Sequence, residues 1–205
     1  MPFEPFEDEA EAEGYRFVVG CDEAGRGPLA GPVVGAACYL PRHVKIYGIA
    51  DSKQLTPEKR IRISKRLYAH KEVMIGVGVV SVEEIDEINI LQASLKAMWS
   101  AVCEIGHQVD LVLIDGNRSF KAPIATKTVI KGDSRVRSIA AASIIAKVVR
   151  DEIMIQMGKK HPGYGFEKHK GYGTPEHLEA LERLGPTDQH RKSFAPVRGK
   201  LSLWK

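Results

Sequence analysis

The sequence has no apolar run approaching the roughly 20 residues that a bilayer span requires, and no basic stretch followed by an apolar one at its N-terminus. A cytoplasmic protein is expected. Cysteine is scarce: Cys21, Cys38 and Cys103 are the three present, widely spaced and without a C-x-x-C pair, which excludes a disulfide framework and a zinc knuckle. All three read as small core residues, and Cys21 is a poor nucleophile because acidic neighbours raise a thiol pKa. Basic residues are absent from 1–14, MPFEPFEDEAEAEG, which holds six acidic ones. This stretch is expected to be a disordered acidic leader. No repeat or low-complexity linker divides the rest of the chain, so 15–205 is expected to form one domain around one core.

What is present is an excess of positive charge that the leader conceals. The chain has 30 Lys and Arg against 26 Asp and Glu; without the six acids of the leader the balance is 30 against 20, a net of +10. A body so charged favours a polyanionic partner. Hydrophobic residues make up 43% and charged ones 27%, which excludes disorder of the chain as a whole.

Local patterns place the elements. YRFVVGC, VVGAACYL and EVMIGVGVVS are β-rich runs bounded by Gly, Pro and polar residues and predict a strand meander. Thr56 and Pro57 are an N-cap and first-turn pair opening a helix. Ile85, Ile88, Leu91, Leu95, Met98, Val102 and Ile105 recur at steps of three and four, which predicts one long amphipathic helix over 83–105. LVLID is a buried strand ending on Asp115, a short strand near TKTVI follows, and the Ala- and Ile-rich stretch after Lys131 predicts a buried helix. Thr174 and Pro175 open a last helix, which Gly185 and Pro186 close.

Chemistry concentrates at CDEAGRGPLAG, 21–31. Asp22 and Glu23 repel one another unless a cation, a proton or donors answer them. GRGPLA matches the dinucleotide fingerprint in letters, but Pro32 and a β-rich run follow instead of the helix that a pyrophosphate needs, so that reading fails. Asp22 and Asp115 both close strands, and Asp133 precedes the long helix, so the three can meet Glu23 at one sheet edge. Singly each reads as a turn or helix-start carboxylate; together, four oxygen ligands without His or Cys point to a hard cation, Mg2+ or Mn2+.

DEAGRGPLAGPV at 22–33, DSKQLTP at 51–57, Asp115-Gly116, KGD with AASIIAKVVRD over 131–151, HKGYGT at 169–174 and the HRxSFxP pattern at 190–196 together resemble ribonuclease HII, in order and over residues 16 to about 197. The leader is too short for the additional N-terminal domain of ribonuclease HIII. The resemblance implies a ribonuclease H-like α/β fold, a mixed five-stranded sheet flanked by helices, with Asp22, Glu23, Asp115 and Asp133 as catalytic, metal-holding carboxylates. It implies cleavage of the RNA strand of RNA/DNA hybrids and nicking of duplex DNA 5′ of an embedded ribonucleotide, with two divalent cations in the substrate complex and 3′-hydroxyl and 5′-phosphate products. Gly25 and Gly27 would bring backbone against the ribose and its 2′-hydroxyl, with Arg26 orienting the turn or meeting a phosphate. Tyr172 would stack at the RNA-to-DNA junction and Lys53 would contact phosphate, with His169 and Lys170 along the same groove. A monomer without a partner-binding tail is expected. A non-catalytic nucleic-acid-binding module needs no four-carboxylate set, and a different metal-dependent phosphoesterase needs neither the Gly-Arg-Gly turn nor Tyr172; these are the two rival readings.

Overall fold

The strands form where β-branched and small apolar residues run together: Val18–Ala24 (β1), Val33–Tyr39 (β2), Met74–Val80 (β3), Leu111–Asp115 (β4) and Ala125–Val129 (β5). They make one mixed five-stranded sheet of order β3-β2-β1-β4-β5, as expected. β1, β2 and β3 pair antiparallel, while β4 runs parallel to β1 and β5 parallel to β4. The structure, a computed structural model, describes residues 3–50, 52–106 and 108–199. Asp51 of the DSK motif and the terminal LSLWK, where no partner-binding segment was expected, lie outside the described residues.

Two helices cover the faces of the sheet: Ile90–Ile105 (α4) on one and Arg137–Lys160 (α6) on the other. Both lie close because glycine stands beneath them. A Cβ on Gly20 would come within 2.3 Å of Ile139 N, and one on Gly78 within 2.1 Å of Ala97 O. Strand alternation then assigns the faces. Val19, Cys21 and Ile114 pack with Met98 and Val102 under α4, whereas Leu113 packs with Ile139 of α6. Asp22 and Asp115, the next residues after Cys21 and Ile114, therefore emerge on the α6 side.

Pro57–Ala69 (α2) begins at the predicted cap, where Thr56 Oγ1 accepts from Lys59 N at 3.4 Å. The single helix expected over 83–105 is instead two, Val82–Ile88 (α3) and α4. Asn89 breaks it, with φ of 68° and a side-chain oxygen that accepts from Leu91 N at 3.0 Å and Gln92 N at 3.2 Å. A side-chain cap and a tolerated positive φ outweigh uninterrupted periodicity there. Gly132–Arg135 (α5) is a separate turn before α6. Cys21 and Cys38 are buried as expected, but Cys103 is exposed, on the outward side of α4.

The described residues of the leader, 3–14, are not the disordered tail expected. Phe6–Ala12 (α1) is a helix whose Ala10 packs with Val18, Leu111 and Ile139, with Phe6 against the same cluster. Charge holds it there: Glu4 pairs with Arg135 at 2.6 and 2.7 Å, and Glu7 Oε1 accepts from Ser138 N at 2.9 Å and Ser138 Oγ at 2.8 Å. Since α6 has no side-chain cap of its own, Glu7 supplies an anionic one from a distant segment, answering an orphan N–H and the helix dipole. Glu7→Ala is expected to remove about 1 kcal/mol and lower the melting temperature by about 2–4 °C. An unchanged melting temperature would mean that the helix does not cap α6.

Candidate active site

The parallel register of β1 and β4 ends on the pair Cys21 and Ile114, so Asp22 and Asp115 follow side by side. Asp115 closes β4, but contrary to expectation Asp22 does not close its strand, because β1 continues to Ala24 in its antiparallel pairing with β2. Asp22 and Asp133 are buried, at 5% and 6% exposure. Asp115 Oδ1 accepts from Gly132 N at 2.6 Å and from Asp133 N at 3.4 Å, which draws the α5 turn and its carboxylate to the edge of the sheet. Asp22 Oδ1 accepts from Glu23 N at 2.7 Å, and the Asp22 carboxylate is also hydrogen-bonded by Ser143 of α6, whose hydroxyl meets Ser52 at 2.9 Å. A cleft of about 340 Å³ is lined by Asp22, Glu23, Asp115, the Gly25-Arg26-Gly27 turn, Lys53 and Tyr172. Asp133 stands behind it, joined through Asp115 and through Lys53 Nζ at 3.0 Å.

This concentration of carboxylates is electrostatically unfavourable as it stands. Burial, then Glu23 and Asp115, push the Asp22 carboxyl well above its ordinary range. Burial also raises Glu23, against the opposing pull of Arg26, and Asp115 is raised by burial and then by Asp133. The cationic answer is partial: Arg26 Nη1 reaches Glu23 Oε1 only at 3.4 Å, and Lys53, 80% exposed in its side chain, answers Asp133. Among the described residues no three His, Cys, Asp or Glu side chains close a metal shell by themselves. Oxygen donors with uncompensated charge nevertheless fit a hard divalent cation, whose remaining ligands would come from water or a phosphate.

The Gly-Arg-Gly turn is held from inside by two arginines, Arg150 and Arg191, that lie within the AASIIAKVVRD and HRxSFxP motifs but were given no role there. Arg150 of α6 donates to Pro32 O at 3.0 Å, Lys170 O at 3.1 Å and Ala30 O at 3.2 Å. Arg191 donates to Gly25 O at 2.6 Å, Gly31 O at 2.8 Å, Arg26 O at 3.1 Å and Pro32 O at 3.2 Å. Both are fully buried, and burial lowers Arg150 to about 10 and Arg191 to about 9. Gly25 is glycine for this reason: its φ is 105°, and a Cβ would lie 2.1 Å from Arg150 Nε. Gly27 is different, since a Cβ there would meet only Tyr172 Cε1, at 3.7 Å across the cleft. Of the two glycines, Gly27 presents open backbone to a ligand.

Tyr172 is 45% exposed at the cleft. Lys147 is a further cation on the lining, lowered in pKa by burial and hydrogen-bonded to Asp151 at 2.6 Å; its place in AKVVRD was its one signal. His169 and Lys170 do not line the cleft. His169 stacks on His177 with ring centroids 4.5 Å apart, and Lys170 turns its ammonium to the Glu167 carbonyl.

The sheet order, with Asp22 and Asp115 side by side where β1 and β4 part, is that of the ribonuclease H-like fold. The ribonuclease H2 from Pyrococcus horikoshii OT3 superposes with a TM-score of 0.72 at 26% identity, covering 92% of this chain and 99% of that one. The fold is also that of Archaeoglobus fulgidus RNase HII in its complex with PCNA, with a TM-score of 0.72 at 23% identity over 88% of this chain and 96% of that one. Bst-RNase HIII in complex with Mn2+ shares it too, with a TM-score of 0.67 at 23% identity over 96% of this chain and 72% of that one. Sequence narrows the class: the ribonuclease HII family matches residues 19–197. Ribonuclease HII of Chlamydia caviae is 53% identical over 193 residues, covering 94% of this chain and 91% of that one. That of Chlamydia pneumoniae is 48% identical over 193 residues, covering 94% and 90%. The chain belongs to the ribonuclease HII family. Its activity is endonucleolytic cleavage of RNA in RNA/DNA hybrids and at ribonucleotides embedded in DNA.

Proposed function

We propose that the chain cuts on the 5′ side of a ribonucleotide, leaving 3′-hydroxyl and 5′-phosphate ends, with Asp22, Glu23, Asp115 and Asp133 as its catalytic, metal-holding carboxylates. The observation that carries this reading is the convergence of Asp22, Glu23 and Asp115 with Gly25-Arg26-Gly27 and Tyr172 on one cleft. Bound Mg2+ or Mn2+, two ions in the substrate complex, would neutralise the scissile phosphate and lower the pKa of the attacking water.

The chain's own groups do the selecting and holding. Gly27 offers backbone to the ribose, where a 2′-hydroxyl both donates and accepts and a deoxyribose does neither. Arg26, on the rim and only loosely paired, meets a phosphate. Lys53, 80% exposed in its side chain, does the same from its place beside the buried Asp133. Tyr172 flanks the sugar at the RNA-to-DNA junction opposite Gly27. The protein acts as a cytoplasmic monomer in this reading; among the described residues no helix is long and apolar enough to cross a membrane.

The test is an all-DNA duplex beside the same duplex with one ribonucleotide, each with and without Mg2+. Cleavage only of the second, only with metal, is expected. Cutting of both would indicate a general phosphoesterase, and binding without cutting a binding module. Tyr172→Ala should reduce cleavage of the single-ribonucleotide duplex by the equivalent of about 1–3 kcal/mol, Tyr172→Phe less, and both should affect a long hybrid less because it offers many registers. Equal losses on the two substrates would return Tyr172 to loop packing.

A further inference from the structure

Beneath the loop that carries Tyr172, away from the carboxylates, His169, His177 and His190 pack on Tyr164 and Phe166. His177 and His190 are 0% exposed. Their partners dictate where each proton sits. The Tyr172 carbonyl can only accept, so His177 Nδ1, 2.9 Å away, is the protonated nitrogen. The Thr187 backbone N–H can only donate, so His190 Nδ1, 2.9 Å away, is bare. His190 therefore carries its proton on Nε2 and donates across 3.1 Å to His177 Nε2. The relay runs one way, from Thr187 N–H through His190 and His177 to the Tyr172 carbonyl.

The neighbouring residue gives this relay a second end. Arg191, adjacent to His190, grips the Gly25 and Arg26 carbonyls, and its own N–H donates to Leu29 O at 2.8 Å. One short segment thus holds the Gly-Arg-Gly turn with Arg191 and, through His190 and then His177, reaches the Tyr172 carbonyl.

We propose that His177 and His190 are positioning residues for ribonucleotide recognition, a neutral hydrogen-bond relay that sets Tyr172 at its distance from Gly27. The inference rests on Tyr172 reading the ribose junction. Neutrality is essential, because an added proton on His177 Nε2 would set N–H against N–H. Burial, followed by neighbouring His177 and His161, lowers His190 to about 4, with Asp188 opposing. Burial also lowers His177, with His169 adding to the effect. His169 closes the stack from the α7 side (Phe166–His169), its ring at 13° to that of His177.

Two substitutions separate positioning from packing. His177→Asn leaves an amide N–H where Nδ1–H stood, keeping a donor to Tyr172, whereas His177→Gln leaves an acceptor for His190 and no donor to Tyr172. With wild type and Tyr172→Ala as references, kcat and KM would be measured in Mg2+ on a single-ribonucleotide duplex and a long hybrid, alongside thermal melts. The Gln variant should lose kcat on the single-ribonucleotide duplex on the order of tenfold beyond its loss on the hybrid, the Asn variant, which keeps the donor to Tyr172 but leaves His190 Nε2–H without its acceptor, should lose distinctly less, and both should melt at similar temperatures. Unchanged ratios in the Gln variant, with a changed ratio in Tyr172→Ala, would overturn the relay alone. An unchanged ratio in Tyr172→Ala would overturn the junction reading and the relay with it. Should either variant fail to fold, two-bond proton–nitrogen NMR of the wild type at neutral pH decides: protons on His177 Nδ1 and His190 Nε2 support the relay, and any other tautomer or a charged ring overturns it.

Discussion

Asp115→Asn and Asp133→Asn are each expected to cut turnover in Mg2+ by on the order of a thousandfold, with duplex binding largely retained. An amide keeps the volume of the carboxyl and one oxygen. In Asp115→Asn that oxygen can still accept from Gly132 N, now at 2.6 Å, so the α5 turn stays in place. What disappears is the ligand charge. Near wild-type cleavage by both variants would remove these residues from the mechanism. In chelator the same physics acts on stability with opposite sign. The Asp22 carboxyl is raised above its ordinary 3.8 in the folded protein, so between that value and the raised one the native state binds more protons than the unfolded state. Metal-free stability should therefore fall as pH rises from 3.8 through the raised value. Asp22→Asn should flatten that fall and raise the melting temperature in chelator near neutral pH.

Arg191→Met should be the most destabilising single change, by about 3 kcal/mol or more, corresponding to a drop of about 10 °C in melting temperature. The methionine fills much of the arginine's volume but leaves the carbonyls of Gly25, Arg26 and Gly31 without their buried donor, while Pro32 O keeps only Arg150. Buried acceptors left unsatisfied carry their full desolvation penalty. The variant should also lose discrimination for the embedded ribonucleotide, since the turn it releases is the one facing Tyr172. A small change in both melting temperature and substrate ratio would show that the turn is held by other means.

The role of Arg191 also qualifies the charge of the folded body. A net of +10 without the leader counts every lysine and arginine alike, yet Arg150 and Arg191 are fully buried and spend their donors on backbone. The leader, moreover, stays against the body through Glu4 and Glu7. The field a duplex meets is less positive than the count suggests, and the exposed contributions of Arg26 and Lys53 matter correspondingly more.

Much of the fold was legible because its signals are local. β-rich and continuous apolar runs placed all five strands, Thr-Pro pairs placed the starts of α2 and of Pro175–Leu184 (α8), and carboxylates following apolar runs marked the cleft. The helix break at Asn89 was not legible, because a stripe at steps of three and four continues across one residue of positive φ. Nor was α1, whose acidic composition reads as solvated until Ala10 and Glu7 have a core and a helix end to meet.

The sequence by itself determined the five strands, the starts of α2 and α8 and the chemistry on offer, since each depends on residues a few positions apart. Only the tertiary structure decided the rest. Parallel pairing of β1 with β4 put Asp22 beside Asp115, residues far apart in the chain, and burial decided that Arg150 and Arg191 give their donors to backbone carbonyls and that His177 and His190 bond each other and the Tyr172 carbonyl. A side chain's type says which bonds it can make; the groups packed around it from distant segments select which of them it makes.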